Sequence, residues 1–241
     1  MTLGPIDYVN GTLSLLFVLI SISVGILLIW KYKKFKEITL LYVGITWIIM
    51  CEPWWPHSVS FIVSLFTGEG LDIRTFYFLA VTFIPIGLLA WLAAFTQFLY
   101  KSKQKIVVAL VGVAMAIFEV IFFVVLALNP SIIAKKSTDV DYLNYPFILT
   151  FFLAVLGIFL VTGIIFASYA MKSEIRKNQI KGRILLIAIF LYTIGGGLDG
   201  AFEGIIGILI ISRIMLALSS IMFYFGFVLP KWLEKILIKE K

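Results

Sequence analysis

The chain has 241 residues, of which 62% are hydrophobic and 14% charged, and its mean hydropathy is +1.09. Soluble domains carry charge on roughly a quarter of their residues, so this composition leaves no room for a soluble catalytic domain and predicts a membrane protein. The net charge of +7 would suit nucleic acid, but the basic residues stand in short clusters between hydrophobic runs, where membrane topology explains them. We therefore expect the lipid bilayer, and no nucleic acid, as a partner.

The hydrophobic runs divide the chain into seven predicted membrane spans, since a bilayer core about 30 Å thick needs about 20 apolar residues per helix. The predicted fold class is an all-α, polytopic bundle of seven transmembrane helices, with a short amphipathic cytoplasmic tail. The predicted spans are residues 11–30, 38–66, 75–100, 106–128, 146–171, 184–204 and 206–229, and the tail is residues 231–241.

The second span is expected to be interrupted at residues 53–56. As one helix, 38–66 would measure roughly 43 Å, which is longer than the bilayer core requires. Pro53 and Pro56 each remove a backbone donor and clash with the preceding turn, so the helix should kink, unwind or end near Glu52. Pro85 predicts a second kink, in the third span.

Lysine and arginine residues predict the orientation, with the N-terminus outside and the C-terminus inside the cell membrane. Four proposed inner segments hold 16 of the 20 basic residues, whereas the outer loops hold only Arg74, Lys135 and Lys136. No signal peptide is expected, because residues 1–10 lack a basic leader. In the tail, Trp232, Leu233, Ile236 and Leu237 share one helical face, a pattern typical of an interfacial anchor.

Four charged residues from four different spans are predicted to lie within about one helical turn of the same depth, in the outer half of the bilayer. They are Glu52, Glu119, Asp199 and Arg213. Because isolated charges are costly in hydrocarbon, we expect them to line one polar pocket, capped by Trp54 and Trp55. Arg213 is the expected partner of Asp199 across the last two helices. A purely architectural role for that pair is an equal alternative.

One further acid, Glu203, and the histidine His57 complete the set of candidate residues. Glu203 follows Asp199 by four residues, so the two carboxylates repel unless a cation lies between them. His57 is the only histidine and a weak candidate metal ligand beside the two tryptophans. No hydrolase motif, phosphate loop, paired cysteines or intramembrane lysine occurs. We therefore expect no catalytic residues, no cofactor and no enzymatic activity.

Two stretches carry a resemblance to known proteins: WIIMCEPWWPHSVSF and RKNQIKGRILLIAIFLYTIGGGLDG. With them, the chain resembles uncharacterised seven-helix membrane proteins of archaea. A basic loop that enters an apolar, glycine-broken sixth helix is also similar to the seven-helix sensory regions of histidine kinases. Because the chain stops eleven residues after Pro230, that similarity implies a separate cytoplasmic signalling partner. Its expected contact is the basic segment 172–183, which begins at Lys172 and ends at Arg183.

Together these patterns favour a receptor-like or sensory membrane protein that recognises a small molecule, a lipid or an ion in the outer half of the bundle. A transporter or proton-coupled carrier is the first alternative, because intramembrane acids also serve as proton relays. The second alternative is a non-signalling membrane-complex subunit or lipid-binding scaffold, in which the charges only hold helices together.

Overall fold

A computed structural model describes residues 3–202 and 205–238, and within these ranges the prediction of seven membrane helices is confirmed. The segments that are long and apolar enough to cross a bilayer are Pro5–Phe35, Ile38–Thr67, Ile73–Leu99, Lys101–Leu128, Pro146–Met171, Arg176–Ala201 and Ile206–Val228. The first and sixth helices begin 6 and 8 residues earlier than predicted, since helical hydrogen bonding continues into polar flanks where hydropathy falls.

The elements along the chain are ten α-helices of the described residues and one short hairpin. The helices are α1 (Pro5–Phe35), α2 (Ile38–Met50), α3 (Trp55–Thr67), α4 (Ile73–Val81), α5 (Ile84–Leu99), α6 (Gln104–Leu128), α7 (Pro146–Met171), α8 (Arg176–Ala201), α9 (Ile206–Val228) and α10 (Lys231–Leu237). The strands are β1 (Ala134–Lys136) and β2 (Tyr142–Asn144).

The predicted interruption of the second span is present as a 3₁₀ turn, Glu52–Trp54, between α2 and α3. Pro53 stands in the first positions of the 3₁₀ turn and Pro56 in the first turn of α3, where the missing N–H is not needed. The third span also divides, between α4 and α5, and Pro85 lies in the first turn of α5. Two spans are therefore broken rather than kinked.

The two breaks face each other, and buried side chains satisfy part of the backbone at each of them. The Phe83 N–H, at the α4–α5 break, donates to Oε1 of Glu52 at 2.8 Å. The Met50 carbonyl, at the end of α2, accepts from the Tyr192 hydroxyl at 2.6 Å. Irregular backbone at membrane depth is tolerated only where such partners are buried with it.

The hairpin of β1 and β2 is a small addition to the all-α bundle that the sequence predicts. The two strands pair antiparallel, with Lys135 opposite Leu143. Val140 and Tyr142 are buried, and the Ser60 hydroxyl of α3 donates to the Asp139 carbonyl at 2.7 Å. The hairpin thus packs onto one end of the bundle, which is called the hairpin end below. The sequence of this loop did not predict the two strands.

The helices are unequally buried. α1 packs against α2, α3 and α9, while α8 lies between α7 and α9. α6 lies at the periphery and buries only Phe122 and Leu126 fully, so most of its surface faces lipid. The centre is aromatic, with Trp47 stacked on Phe223 at 3.6 Å between ring centroids. In α10, Trp232 and Ile236 are exposed and Leu233 packs against the cluster around Leu229.

Candidate functional site

A buried ion pair joins the last two spans at the hairpin end. The Arg213 NH1 group lies 2.6 Å from Oδ2 of Asp199, so the pairing expected from the sequence is present. Arg213 is only 2% exposed. Its Nε donates to the Ser14 hydroxyl at 3.1 Å, and its NH2 donates to Oδ1 of Asn10 at 2.7 Å. Nε and NH2 are therefore hydrogen-bonded within the protein, whereas NH1 contacts Asp199 as an ion pair and makes no hydrogen bond with the described residues.

Asn10 and Ser14 belong to this site, and the sequence analysis missed both. It began the first span at residue 11 and placed Asn10 in an outer segment. The structure begins α1 at Pro5 and buries Asn10 and Ser14 against α9. A proline in the first turn followed by Asp7 is an N-terminal helix signal that would have moved the boundary.

Trp54 completes the surroundings of Asp199. Its indole Nε1 donates to Oδ2 of Asp199 at 2.8 Å, and its ring lies 5.8 Å from the guanidinium carbon of Arg213. Trp54 is buried, since the 3₁₀ turn directs it inward, whereas the neighbouring Trp55 is half-buried. The Trp55 indole donates to Sγ of Cys51. The two tryptophans therefore do not cap one pocket together.

The hairpin adds a second acid to the site. The Asp141 carboxylate accepts from Nδ2 of Asn10 at 3.3 Å and from the Tyr142 N–H at 2.8 Å, and it lies 3.4 Å from Nδ1 of His57. The pKa of Asp141 is raised to about 7, chiefly by burial and then by the negative charge of Asp199, with Arg213 acting in the opposite direction. His57 has no set of metal-ligand neighbours among residues 3–202 and 205–238.

An internal cavity of about 100 Å³ lies beside Asp199. Its apolar walls include Phe76, Ile84, Leu149, Phe152, Val155 and Leu156, and its polar groups include His57, Asn144 and Asp199. An engineered cavity of about 150 Å³ holds benzene, so this smaller space could take at most a molecule of about that size. Largely apolar walls with a few convergent polar groups are typical of ligand sites.

A smaller recess of about 40 Å³ adjoins the cavity on its polar side. The polar residues lining it are His57, Asp141, Asn144, Asp199 and Arg213. Three of these also line the larger cavity, so the two spaces share a wall. The pair of spaces thus has an apolar compartment and a polar one.

Two glycines of α8 leave room for the cavity. A Cβ atom at Gly196 would lie 3.6 Å from the Trp54 ring, and one at Gly200 would lie 3.7 Å from Leu149. These are ordinary contact distances, so a larger side chain there would extend into the cavity without a backbone clash. Both glycines therefore border the empty space of the cavity.

Glu52 and Glu119 stand apart from the cavity, so the expected cluster of four charges divides into two groups. Glu52 is fully buried, and its Oε2 has no hydrogen-bond partner within the described parts of the chain. Glu119 lies on the bundle-facing stripe of α6, near enough to Glu52 for their charges to interact, and its Oε1 is also unpartnered there. Glu203 lies outside the described residues.

Comparisons of this chain with known proteins and structures found no relative. No family model, curated protein or solved structure matches the chain. The similarity to archaeal seven-helix proteins and to kinase sensory regions therefore stays a prediction from the sequence, and functional proposals depend on the site itself.

The raised pKa of Asp141 predicts a pH-dependent stability. As pH rises from about 4 to about 7, the unfolded chain releases the Asp141 proton before the folded protein does, so the free energy of unfolding should fall. The full difference in pKa corresponds to about 4 kcal/mol, and partial exposure of the carboxyl reduces it. Asp141→Asn should flatten this slope.

The measurement is the thermal unfolding midpoint in detergent between pH 4 and pH 8, for the wild type and Asp141→Asn. Asp139→Asn is the matched control, because Asp139 lies on the same hairpin and its pKa is lowered by the hydrogen bond from Lys136. An Asp141→Asn profile that still falls as steeply as the wild type between pH 4 and pH 7 would contradict the prediction.

Proposed function

We propose that this protein is a receptor of the cell membrane that binds a small molecule in the cavity beside Asp199. The observation that carries the proposal is that cavity, with aromatic and aliphatic walls and polar groups gathered on one side. The ligand would therefore have an apolar body and one polar group. No reaction is proposed, since the site brings no nucleophile and base together among the described residues.

The orientation belongs to this proposal. Fourteen of the Lys and Arg residues that the structure describes lie in segments at the end of the bundle opposite the hairpin, and by the positive-inside rule that end would be cytoplasmic. The N-terminus and the hairpin would then be outside, and the C-terminus inside. The cavity would lie in the outer half of the bilayer, where a ligand from outside could reach it.

Signalling would follow from the elements that form the cavity. Trp54 and His57 line it from the region of the α2–α3 break, and Asp199 lines it from α8. Binding that favours one arrangement of the break would shift these helices relative to each other. The opposite end of α8 carries the basic segment 172–183, where the Lys177 ammonium pairs with Glu234 of α10 at 2.6 Å. That segment is the proposed contact for a cytoplasmic partner.

A ligand-observed fluorine NMR experiment tests the cavity, with 4-fluorobenzyl alcohol as a neutral probe of suitable size. We expect the probe's signal to broaden with the purified wild-type protein in detergent micelles. The Gly200→Leu variant should remove this broadening, since the leucine side chain would occupy the cavity.

The matched control is Gly197→Leu, on the same helix, because a Cβ at Gly197 meets no atom within 4 Å and Gly197 does not line the cavity. This control also corrects for partition of the probe into the micelle. Equal broadening by wild type and Gly200→Leu, with both folded, would refute a ligand-binding cavity.

A proton-coupled carrier is the second candidate, and one observation favours it. Glu52 and Glu119 each keep a buried carboxyl oxygen without a partner in the described structure, as a proton-binding step would need. A liposome assay with an internal pH-sensitive dye separates the two functions. The receptor proposal expects no proton movement driven by a ligand gradient, whereas ligand-driven proton uptake that Glu119→Gln abolishes would replace it with the carrier.

A further inference from the structure

We propose that the polar recess beside the cavity is a binding site for a primary ammonium group, so that the receptor's ligand is a small organic amine. This inference rests on the proposed function, and it adds the chemical class of the ligand. The recess measures about 40 Å³ and the adjoining cavity about 100 Å³. On this measure about 10–15 Å³ is enough for one water molecule, so the recess has room for an ammonium head and the cavity for an apolar body.

Among the described residues that line the recess, Arg213 is the one arginine or lysine, and each of its three nitrogens already lies beside a group of the protein. Its NH1 pairs with Asp199, its Nε donates to Ser14, and its NH2 donates to Asn10. An arginine that recognises a ligand carboxylate or phosphate presents a free fork of two N–H groups. Here the carboxylate of Asp199 already lies 2.6 Å from one nitrogen of the fork, and its negative charge would repel a second anion, which argues against an anionic ligand.

Three of the other polar residues of the recess, Asp199, Asp141 and His57, present acceptor atoms. Oδ1 of Asp199 receives only a long 3.3 Å hydrogen bond, from the Ser212 hydroxyl. Nδ1 of His57 lies 3.1 Å from the Val140 carbonyl, and because a carbonyl only accepts, Nδ1 carries the hydrogen. The other ring nitrogen, Nε2, is then an acceptor in the neutral ring. Together with Asp141, these atoms match the three donors of an ammonium group.

Charge in and around the recess favours a cation. Arg213 supplies one positive charge, while Asp199, Asp141 and Asp7 supply up to three negative ones, and Asp7 acts on Asp141 electrostatically. Asp7 is 7% exposed, and its Oδ1 has no partner within residues 3–202 and 205–238. An entering cation would reduce the repulsion between these buried acids. Aromatic faces in the adjoining cavity, including Trp54 and Phe76, add cation–π attraction.

Binding of an amine should be linked to the proton on Asp141. The groups that face this carboxyl are Asp7 and Asn10 of α1, His57 of α3, Asp199 of α8 and Arg213 of α9. A nearby ammonium stabilises the ionised carboxylate, so the amine should displace the proton. With a pKa of about 7, the ionised fraction rises about tenfold between pH 6 and pH 8, and amine affinity should rise by up to the same factor.

Three probes of one shape test the inference by fluorine NMR with the full-length protein: 4-fluorobenzylamine, 4-fluorobenzyl alcohol and 4-fluorobenzoate. We expect the amine to bind at least about tenfold more tightly than the alcohol, and the benzoate to bind least. Asp141→Asn should weaken binding of the amine more than binding of the alcohol, whereas Asp139→Asn should leave the affinity for both probes unchanged. Measuring amine affinity of the wild type between pH 6 and pH 8 needs no variant. This measurement tests the inference even if Asp141→Asn does not fold.

The outcomes separate the two proposals. If the alcohol binds in the cavity but the amine shows neither a preference nor a pH dependence, the ammonium site is refuted and the receptor cavity stands. If no probe binds the wild type above the Gly200→Leu background, the proposed function itself fails. A preference for benzoate would overturn the inference outright, since it would require an anion beside Asp199 and Asp141.

Discussion

Replacing Arg213 with methionine is expected to lower the free energy of unfolding by about 3–5 kcal/mol. The substitution removes the cation that neutralises Asp199 and leaves the Asp199 carboxylate buried without its 2.6 Å partner. It also removes the donors to Asn10 and Ser14, both of which are buried. Unfolding in mixed detergent micelles, followed by circular dichroism, measures this loss.

The double variant Arg213→Met with Asp199→Leu should recover most of that stability, because no unpaired charge remains in the bundle. Arg183→Met is the matched control; Arg183 is exposed on α8, so its loss should change stability by no more than about 0.5 kcal/mol. A double variant as unstable as Arg213→Met would show that the ion pair is not the cause.

The same double variant distinguishes a receptor from a scaffold. If the charges only hold helices together, the apolar replacement should preserve both the fold and any activity. If Asp199 is part of a ligand site, the folded double variant should lose binding of 4-fluorobenzylamine. Retained amine binding by a folded double variant would favour the scaffold.

Replacing Gly25 with alanine is expected to destabilise the protein by about 1–3 kcal/mol or more, through the contact between α1 and α2. A Cβ atom at Gly25 would stand 2.4 Å from Cγ1 of Ile48 and 2.7 Å from the carbonyl oxygen of Gly44. The isoleucine side chain can rotate, but the Gly44 backbone cannot, so the two helices must separate. Small residues at such contacts let membrane helices approach closely.

Gly157→Ala in α7 is the control for this substitution. A Cβ there meets no atom within 4 Å, so alanine should be neutral or stabilise the helix by up to about 1 kcal/mol. Thermal unfolding midpoints of the two variants in the same detergent give the comparison. Equal midpoints for Gly25→Ala and Gly157→Ala would mean that α1 and α2 do not pack as closely as the structure places them.

The spans could be predicted from the sequence because hydrophobic length is a local property. The break near Glu52 followed in the same way from Pro53 and Pro56, whose rings remove donors wherever they stand. The hairpin of residues 134–144 could not be predicted, since its strands are three residues long and depend on contacts with α3. Its docking on Ser60, and the burial of Val140, exist only in the assembled bundle.

The site was predictable only in part. Asp199 and Arg213 each need a partner in hydrocarbon, and neighbouring helices offered few choices, so their pairing could be anticipated. The prediction that Glu52 and Glu119 would lie beside Asp199 and Arg213 was based only on their similar depth in the bilayer. Two residues at one depth can point to opposite sides of a bundle, and Glu52 in fact turns toward the α4–α5 break and Glu119 lies on the peripheral α6.

The amino-acid sequence by itself determined the number of spans, the places where proline interrupts them and the need to pair the buried charges, because all three follow from the cost of exposing polar groups to lipid. Only the tertiary structure decided which atoms meet that need: Asn10 and Ser14 around Arg213, the Phe83 amide at Glu52, and Asp141 facing His57. The physical reason is rotational. Hydropathy sets how deep a residue lies, whereas packing sets the direction in which its helix turns it.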